Sequence, residues 1–469
     1  MADEFSVDRM LSWARDLYDL GARRPGSDAG AQAEAYLFGI MKGFGIRDVR
    51  LEPIDFVRWS ADWSYLAVQG DGGSTGFSAE PIVYTTFTGG SGISAPIVDL
   101  GAGSPADFEG VDLTGKIALV SYAHGYLEYE VLKAVGYHLH DPGETLSGKG
   151  QAMSWVTEEE RRVYQASVNA GAVGFVGVYP FDITAYLCFE GGNAYTGACG
   201  PIPGIGLRKS DGLRLLSLIN KGACEGTVVL TGKTAGARMH NVVGIIPGRS
   251  SRVIQVTSHH DSMWPGATED AAGVAVVLEL ARRAARTYAA ARPPLTLAFV
   301  LEAAECLFVL GSRGHIARHR DDLIRDLVAD LHIEHLAREY IHDERGFLVP
   351  TGDIQARALF VTDAGPLIEI AREAVIAHNL RRTILMPTTT PLGVPTDASA
   401  YNKAGLPVIS FISPPPYWNG LEDTWEKIAV DQLVPTATAF WDIVARLLTT
   451  DPDLIRRPGP PTDGYILAP

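Results

Sequence analysis

A series of apolar runs in the second half of the chain constrains the fold most. Residues 253–256, 295–301, 328–333 and 407–411 are dominated by Val, Ile, Leu, Ala and Phe. A strand with one wet face would alternate polar and apolar side chains, so runs of this kind need cover on both faces. The segments between them have helical spacing, as in Val274, Val277, Leu278 and Ala281. This pattern predicts an α/β fold with a central mixed, mainly parallel sheet and helices on both faces. Ligands of such sheets gather at the carboxyl ends of the strands. His259, Glu302, Glu305 and Glu334 all fall at or just past such ends.

The rest of the chain divides around this core. Ser6 is an expected N-cap for a helix carrying Val7, Met10, Leu11, Ala14, Leu17 and Tyr18. A second helix with Tyr36, Leu37, Ile40, Met41 and Phe44 stops near Gly45. Gly89-Gly90-Ser91-Gly92 reads as a linker. A total of 469 residues exceeds one core. We expect an N-terminal part of the catalytic unit over 1–93, a small separate unit over 94–235, and the catalytic domain over 236–469.

Composition excludes some functions. A net charge of −15 disfavours a nucleic-acid groove or an anionic membrane surface. No apolar run is long enough to span a bilayer. Met1-Ala2-Asp3-Glu4 is acidic and unlike a signal peptide. Four cysteines fit a reducing compartment, so a cytoplasmic location is expected, with Cys188 and Cys199 as free thiols rather than a pair. The expected partner is a small-molecule or short peptide-like substrate, and a homodimer is open.

His259-His260-Asp261 is the segment richest in chemistry. A His at a strand end, with Asp two residues on, suits a metal ligand and the group that orients its ring. The Glu269-Asp270 pair in the next loop can supply a carboxylate ligand. His260 reads as a neighbour or substrate-facing group, and Glu302 is balanced between strand-end solvation and the site. Arg313 and His315 are expected on a solvated helix face. Trp418 could form a pocket wall, stiffened by Pro414-Pro415-Pro416.

Two resemblances sharpen this reading. Gly115-Lys116-Ile117-Ala118-Leu119-Val120, Asn169 to Gly174 and Pro201 to Ile205 resemble the protease-associated domain, which implies a small β-rich lid. His138 and His140 lie in a stretch of it that departs from the usual pattern and could reach the pocket. Asn241 to Gly248, His259 to Ser262, Gly266 to Val274, Ala304-Glu305-Cys306 and Asp423-Thr424 resemble the zinc aminopeptidase family that includes transferrin-receptor and glutamate-carboxypeptidase-like proteins.

That family resemblance implies two zinc ions, and this chain departs from it. His259, Glu269 in place of a bridging Asp, and Glu334 stand at one set of ligands. At the other set, Cys306 replaces a Glu and Asn419 replaces a late His. Asn is a poor zinc ligand, and a lone Cys rarely holds an ion. We therefore expect one divalent ion per chain, zinc first, with iron, manganese or nickel compatible with the donors. Glu305 stands at the general-base position, Asp261 orients His259, and His335 could add a ligand through local irregularity.

The expected activity is hydrolysis of an amide or related bond in a small molecule or modified amino acid. The alternatives are a metal-dependent lyase, isomerase or cyclase, a dinuclear aminopeptidase, and a metal-free receptor or scaffold.

Overall fold

The computed structural model describes residues 4–70, 73–152, 157–184, 194–222, 225–390, 393–455, 457 and 459. Cys188 lies outside them, and Cys199 and Cys306 are not disulfide-bonded.

Parallel pairing dominates the centre of the sheet. Ser250–His259 runs parallel to Leu295–Glu302 on one side and to Leu327–Ile333 on the other. Leu327–Ile333 is parallel in turn to Val408–Ile412. Every residue of Leu295–Glu302 and of Leu327–Ile333 is buried, as continuous apolar runs require. Successive side chains serve opposite faces. Ile254, Val256, Leu297 and Phe299 pack with helices Val7–Asp19, Ala272–Thr287 and Val430–Leu447, whereas Val253 and Ala298 pack with Ile316, Ala400 and Tyr401 on the other side.

Antiparallel strands extend the sheet in both directions. Beyond Val408–Ile412 come Arg357–Val361, Thr383–Pro387 and the edge strand His138–His140. Toward the other edge, Leu295–Glu302 pairs with the long strand Glu225–Ile246, itself paired along its length with Asp48–Gly70. Ile93–Asp99 joins Glu225–Ile246 and continues into the parallel strands Ile117–Ser121, Gly174–Val178 and Gly204–Leu207. These carry helices Thr157–Asn169 and Lys209–Ile219 and a core that includes Val120, Tyr122, Val163 and Phe175.

The amino-terminal helices form as their sequence predicts. The Ser6 side chain accepts from Arg9 N–H, and the second helix ends at Phe44, with Gly45 at φ +85°. No described helix is long and apolar enough to cross a membrane.

Two expectations are corrected. His138 and His140 lie on the edge strand, with three strands between it and Leu327–Ile333, and His140 Nε2 is 2.9 Å from Asn379 Oδ1. Pairing with Thr383–Pro387 holds them there, away from the strand ends that carry His259 and Glu334. His315 is fully buried rather than solvated, because its helix turns that face onto the Asp48–Gly70 strand.

Phe440 of Val430–Leu447 is fully buried and meets Phe411 edge-on at 6.0 Å. Phe440→Ala is expected to cost about 3–5 kcal/mol, read as a lowered urea midpoint with an unchanged slope.

Candidate metal centre

Three loops deliver the candidate centre, each leaving the carboxyl end of a central strand or abutting one. Ser250–His259 ends on His259. The next loop reaches Glu269 through Gly266, whose φ of +58° admits glycine most easily; a Cβ there would lie 2.0 Å from the Glu269 carbonyl oxygen. Leu327–Ile333 runs into Glu334 and His335, and a short turn after Pro395 presents Asp397.

Nitrogen and oxygen atoms converge from these loops. One atom each from His259, Glu269 and His335 lies within 4.8 Å of the others, and the same holds for His259, Glu334 and Asp397. All five residues are buried. His259 Nε2 is 3.6 Å from Glu269 Oε1, His335 Nε2 contacts Glu269 Oε2, and His335 Nε2 is 3.9 Å from Glu334 Oε2. The longer Glu269 side chain thus spans both imidazoles, with its backbone held by Asp423.

Outer partners fix the two rings. His259 Nδ1 lies 3.1 Å from the Asp261 carbonyl oxygen and 3.6 Å from the Asp261 carboxylate. His335 Nδ1 is 2.9 Å from the Ser413 carbonyl oxygen. Each Nδ1–H therefore donates to backbone, which leaves each Nε2 lone pair facing inward. His335 reaches this place because its φ of +52° turns it out of the strand's alternation. His332, two residues before Glu334, points the same way, and its Nε2 bonds Glu334 Oε1.

A buried arginine organises the His259–Glu269 loop. Arg23 donates to the carbonyl oxygens of Leu17, His260, Pro265, Gly266 and Glu269. Burial lowers its pKa to about 10, against the pull of Asp261 and Asp423, so it stays charged at neutral pH. Asp423 accepts from Thr268 N–H and O–H and from Glu269 N–H. Asp270 accepts from Ser258 O–H and from His335 N–H, tying the two halves of the site.

The remaining sequence candidates sort by contact. Glu305 N–H donates to Asp261 Oδ1 at 3.1 Å, and a carboxylate oxygen of Glu305 groups with Glu269 and Cys306. Cys306 Sγ is 3.8 Å from Asn419 Oδ1. Trp418 is half-buried, with its ring 6.3 Å from that of His335, so it stands beside the site. Glu302 lies behind the centre, accepting from Tyr401 O–H and Ser312 O–H. His260 turns away, its Nε2 3.0 Å from the His240 carbonyl oxygen.

Asp397 and Arg23 escape sequence reading. Asp397 resembles a helix cap before Ala398–Lys403, yet its side chain makes no cap hydrogen bond and faces the centre instead. Arg23 resembles a loop arginine, and only the packing reveals its five carbonyl partners.

The electrostatics favour a cation. Burial opposes charge on His335, but Glu269 and Glu334 outweigh it and lift the imidazole to about 10. His259 is likewise raised, against burial, by Asp261 and then Glu269. Burial pushes Glu305 to about 8, with Glu269 adding to it, and raises Asp397 well above the carboxylate range. Glu334, which burial alone would raise, is held at about 2 by His332. Protons thus balance a cluster of buried acids. His259 Nε2, Glu269 Oε1, Asp397 Oδ2 and Glu305 Oε2 are buried with no hydrogen-bond partner. Mixed imidazole and carboxylate donors with inward lone pairs fit a zinc-type ion.

Residues 241–444 match the model of Peptidase family M28. The chain is 26% identical over 230 residues to aminopeptidase YwaD of Bacillus subtilis (strain 168), a match covering 48% of this chain and 40% of that protein. The Peptidase M28 precursor of Shewanella amazonensis SB2B superposes with a TM-score of 0.73 at 18% identity, covering 97% of this chain and 96% of that one. BSAP, a zinc aminopeptidase from Bacillus subtilis, gives 0.69 at 19% identity, covering 96% and 98%. Residues 241–444 are thus similar to Peptidase family M28, the chain spans less than half the length of the aminopeptidase it matches, and the superpositions show a shared fold.

A cation entering this centre must displace the protons on His259 and His335. Zinc affinity is therefore expected to rise with pH toward about 10, measured by competition with a chromophoric chelator across a pH series. A pH-independent affinity would contradict the ligand set.

Proposed function

We propose that this chain is a zinc aminopeptidase-like, mononuclear hydrolase that cleaves an amide or related bond in a small molecule or modified amino acid. His259, Glu269, Glu334 and His335 hold one zinc ion, with Asp397 beside them. The observation that carries this reading is the place of Glu269 between two inward-facing imidazoles, while Cys306 and Asn419 sit against each other at the eroded second position.

The bound ion supplies Lewis acidity toward a carbonyl and lowers the pKa of water. Glu305 takes up and passes on a proton as general base. Its pKa of about 8 without a cation falls when positive charge is placed beside it, so it ionises near neutrality, where a base works best. The Glu305 N–H bond to Asp261 links the base to the loop that carries His259. Glu305 is less buried than Glu269, Glu334 and Asp397, which suits a group that must meet substrate. Trp418 forms a wall beside His335, and Pro414-Pro415-Pro416 keeps that wall fixed.

The Glu269, Glu305 and Cys306 grouping supports a second reading, a dinuclear aminopeptidase in which Cys306 helps hold another ion. Glu305→Gln is expected to lower kcat on responsive chromogenic amides by about 10²–10⁴-fold with ion content unchanged; retained turnover would sink the base assignment. Cys306→Glu combined with Asn419→His is expected to raise zinc content by one ion per chain over the parent protein. An unchanged count would overturn the view that these two positions cost the chain an ion.

A further inference from the structure

His315 and His319 lie one helical turn apart, on Leu310–Arg318 and at its C-cap, and both face Glu52 of the Asp48–Gly70 strand. Glu52 Oε2 is 3.0 Å from His315 Nδ1, and Glu52 Oε1 is 2.6 Å from His319 Nε2. The three residues are 4, 0 and 4% exposed for Glu52, His315 and His319. The candidate centre uses none of them.

The far side of each ring decides what the near side presents. His315 Nε2 is 3.1 Å from Gln255 Oε1, and the Gln255 amide nitrogen donates to Asp330 Oδ1, so its oxygen is what His315 meets. His319 Nδ1 is 2.9 Å from Asp322 Oδ1. Both far partners are acceptors, so each ring places its N–H there. A neutral imidazole has only one N–H. His315 Nδ1 and His319 Nε2 then offer lone pairs to a carboxylate that also accepts. Three acceptors facing one another in a dry space need either two extra protons or a cation between them.

We propose that Glu52, His315 and His319 form a second, structural site for a zinc-type divalent cation. Two imidazoles and one carboxylate are a donor set suited to zinc. One donor atom from each residue lies within 4.8 Å of the others. Gln255 and Asp322 act as outer partners that fix the tautomers, as is usual for metal-bound histidines. The site would clamp the Asp48–Gly70 strand to Leu310–Arg318, the helix whose Ser312 O–H reaches Glu302 and Asp397 at 2.9 and 3.0 Å. It would thereby brace the wall behind the candidate centre.

The test is zinc content per chain of the full-length protein after equilibration with Zn²⁺ and removal of excess. Parent, Glu52→Gln, His319→Ala, His259→Ala and the Glu52→Gln/His259→Ala double variant are compared. Glu52→Gln and His319→Ala are each expected to carry one ion fewer than the parent. Zn²⁺ is expected to raise the Tm of His259→Ala but not that of the double variant. Glu52→Gln keeps the shape of the side chain; should it fail to fold, the rim variant His319→Ala carries the test. The parent zinc count in either folded variant would overturn the proposal. So would imidazolium signals from His315 and His319 persisting in NMR spectra at saturating Zn²⁺, which would mark a plain pair of charge-assisted hydrogen bonds.

Discussion

Burial of carboxylates without enough positive charge is the constraint on which the candidate centre turns. Glu269, Glu334 and Asp397 lie out of water beside two imidazoles, with Glu305 at their edge. In low dielectric, charge of one sign cannot accumulate without compensation. Without an ion the cluster holds protons, raising His259, His335, Glu305 and Asp397 together. A divalent cation replaces those protons with one compact charge. The same accounting makes the site selective for cations and sensitive to pH.

Such a cluster persists only if its loops cannot relax away from it. Arg23 supplies much of that restraint, since its guanidinium is buried among five backbone carbonyls spanning Leu17 to Glu269. Loop carbonyls that would otherwise be stranded from water gain a charged donor. Asp423 does the converse for the Thr268 and Glu269 N–H groups. Asp270 joins this loop to the Glu334–His335 turn. Beneath them, fully buried strands give the loops a fixed base.

The departures from a two-ion arrangement are local. Glu269 adds one methylene to the usual bridging acid, and His335 adds a nitrogen. Together they bring a further imidazole to the side where Glu269 and Glu334 converge. Cys306 and Asn419, which replace the other ligand pair, lie with Sγ 3.8 Å from Oδ1. The proposed mononuclear reading rests on the grouping of His259, Glu269 and His335.

Much of this was legible in the sequence. Apolar runs without alternation could be buried only as central strands, and that fixed the sheet and put His259, Glu305 and Glu334 at its carboxyl end. The spacing of His259, Asp261 and Glu269 marked a candidate ligand loop, because those groups lie close in the chain. The rest depended on contacts between distant segments. Arg23 meets four of its five carbonyls across more than two hundred residues, and Asp397 looks like a helix cap until packing turns it inward. His335 needed a left-handed backbone to join the cluster, and His138 and His140 were removed by strand pairing at the far edge. His315 seemed a surface residue until Glu52 met it from another strand. Sequence by itself determined which groups could do chemistry and which segments had to be buried, since composition and period are local properties. Tertiary structure alone decided which donors share a site, because a tautomer, a lone pair and a buried charge are set by neighbours that the chain brings together only on folding.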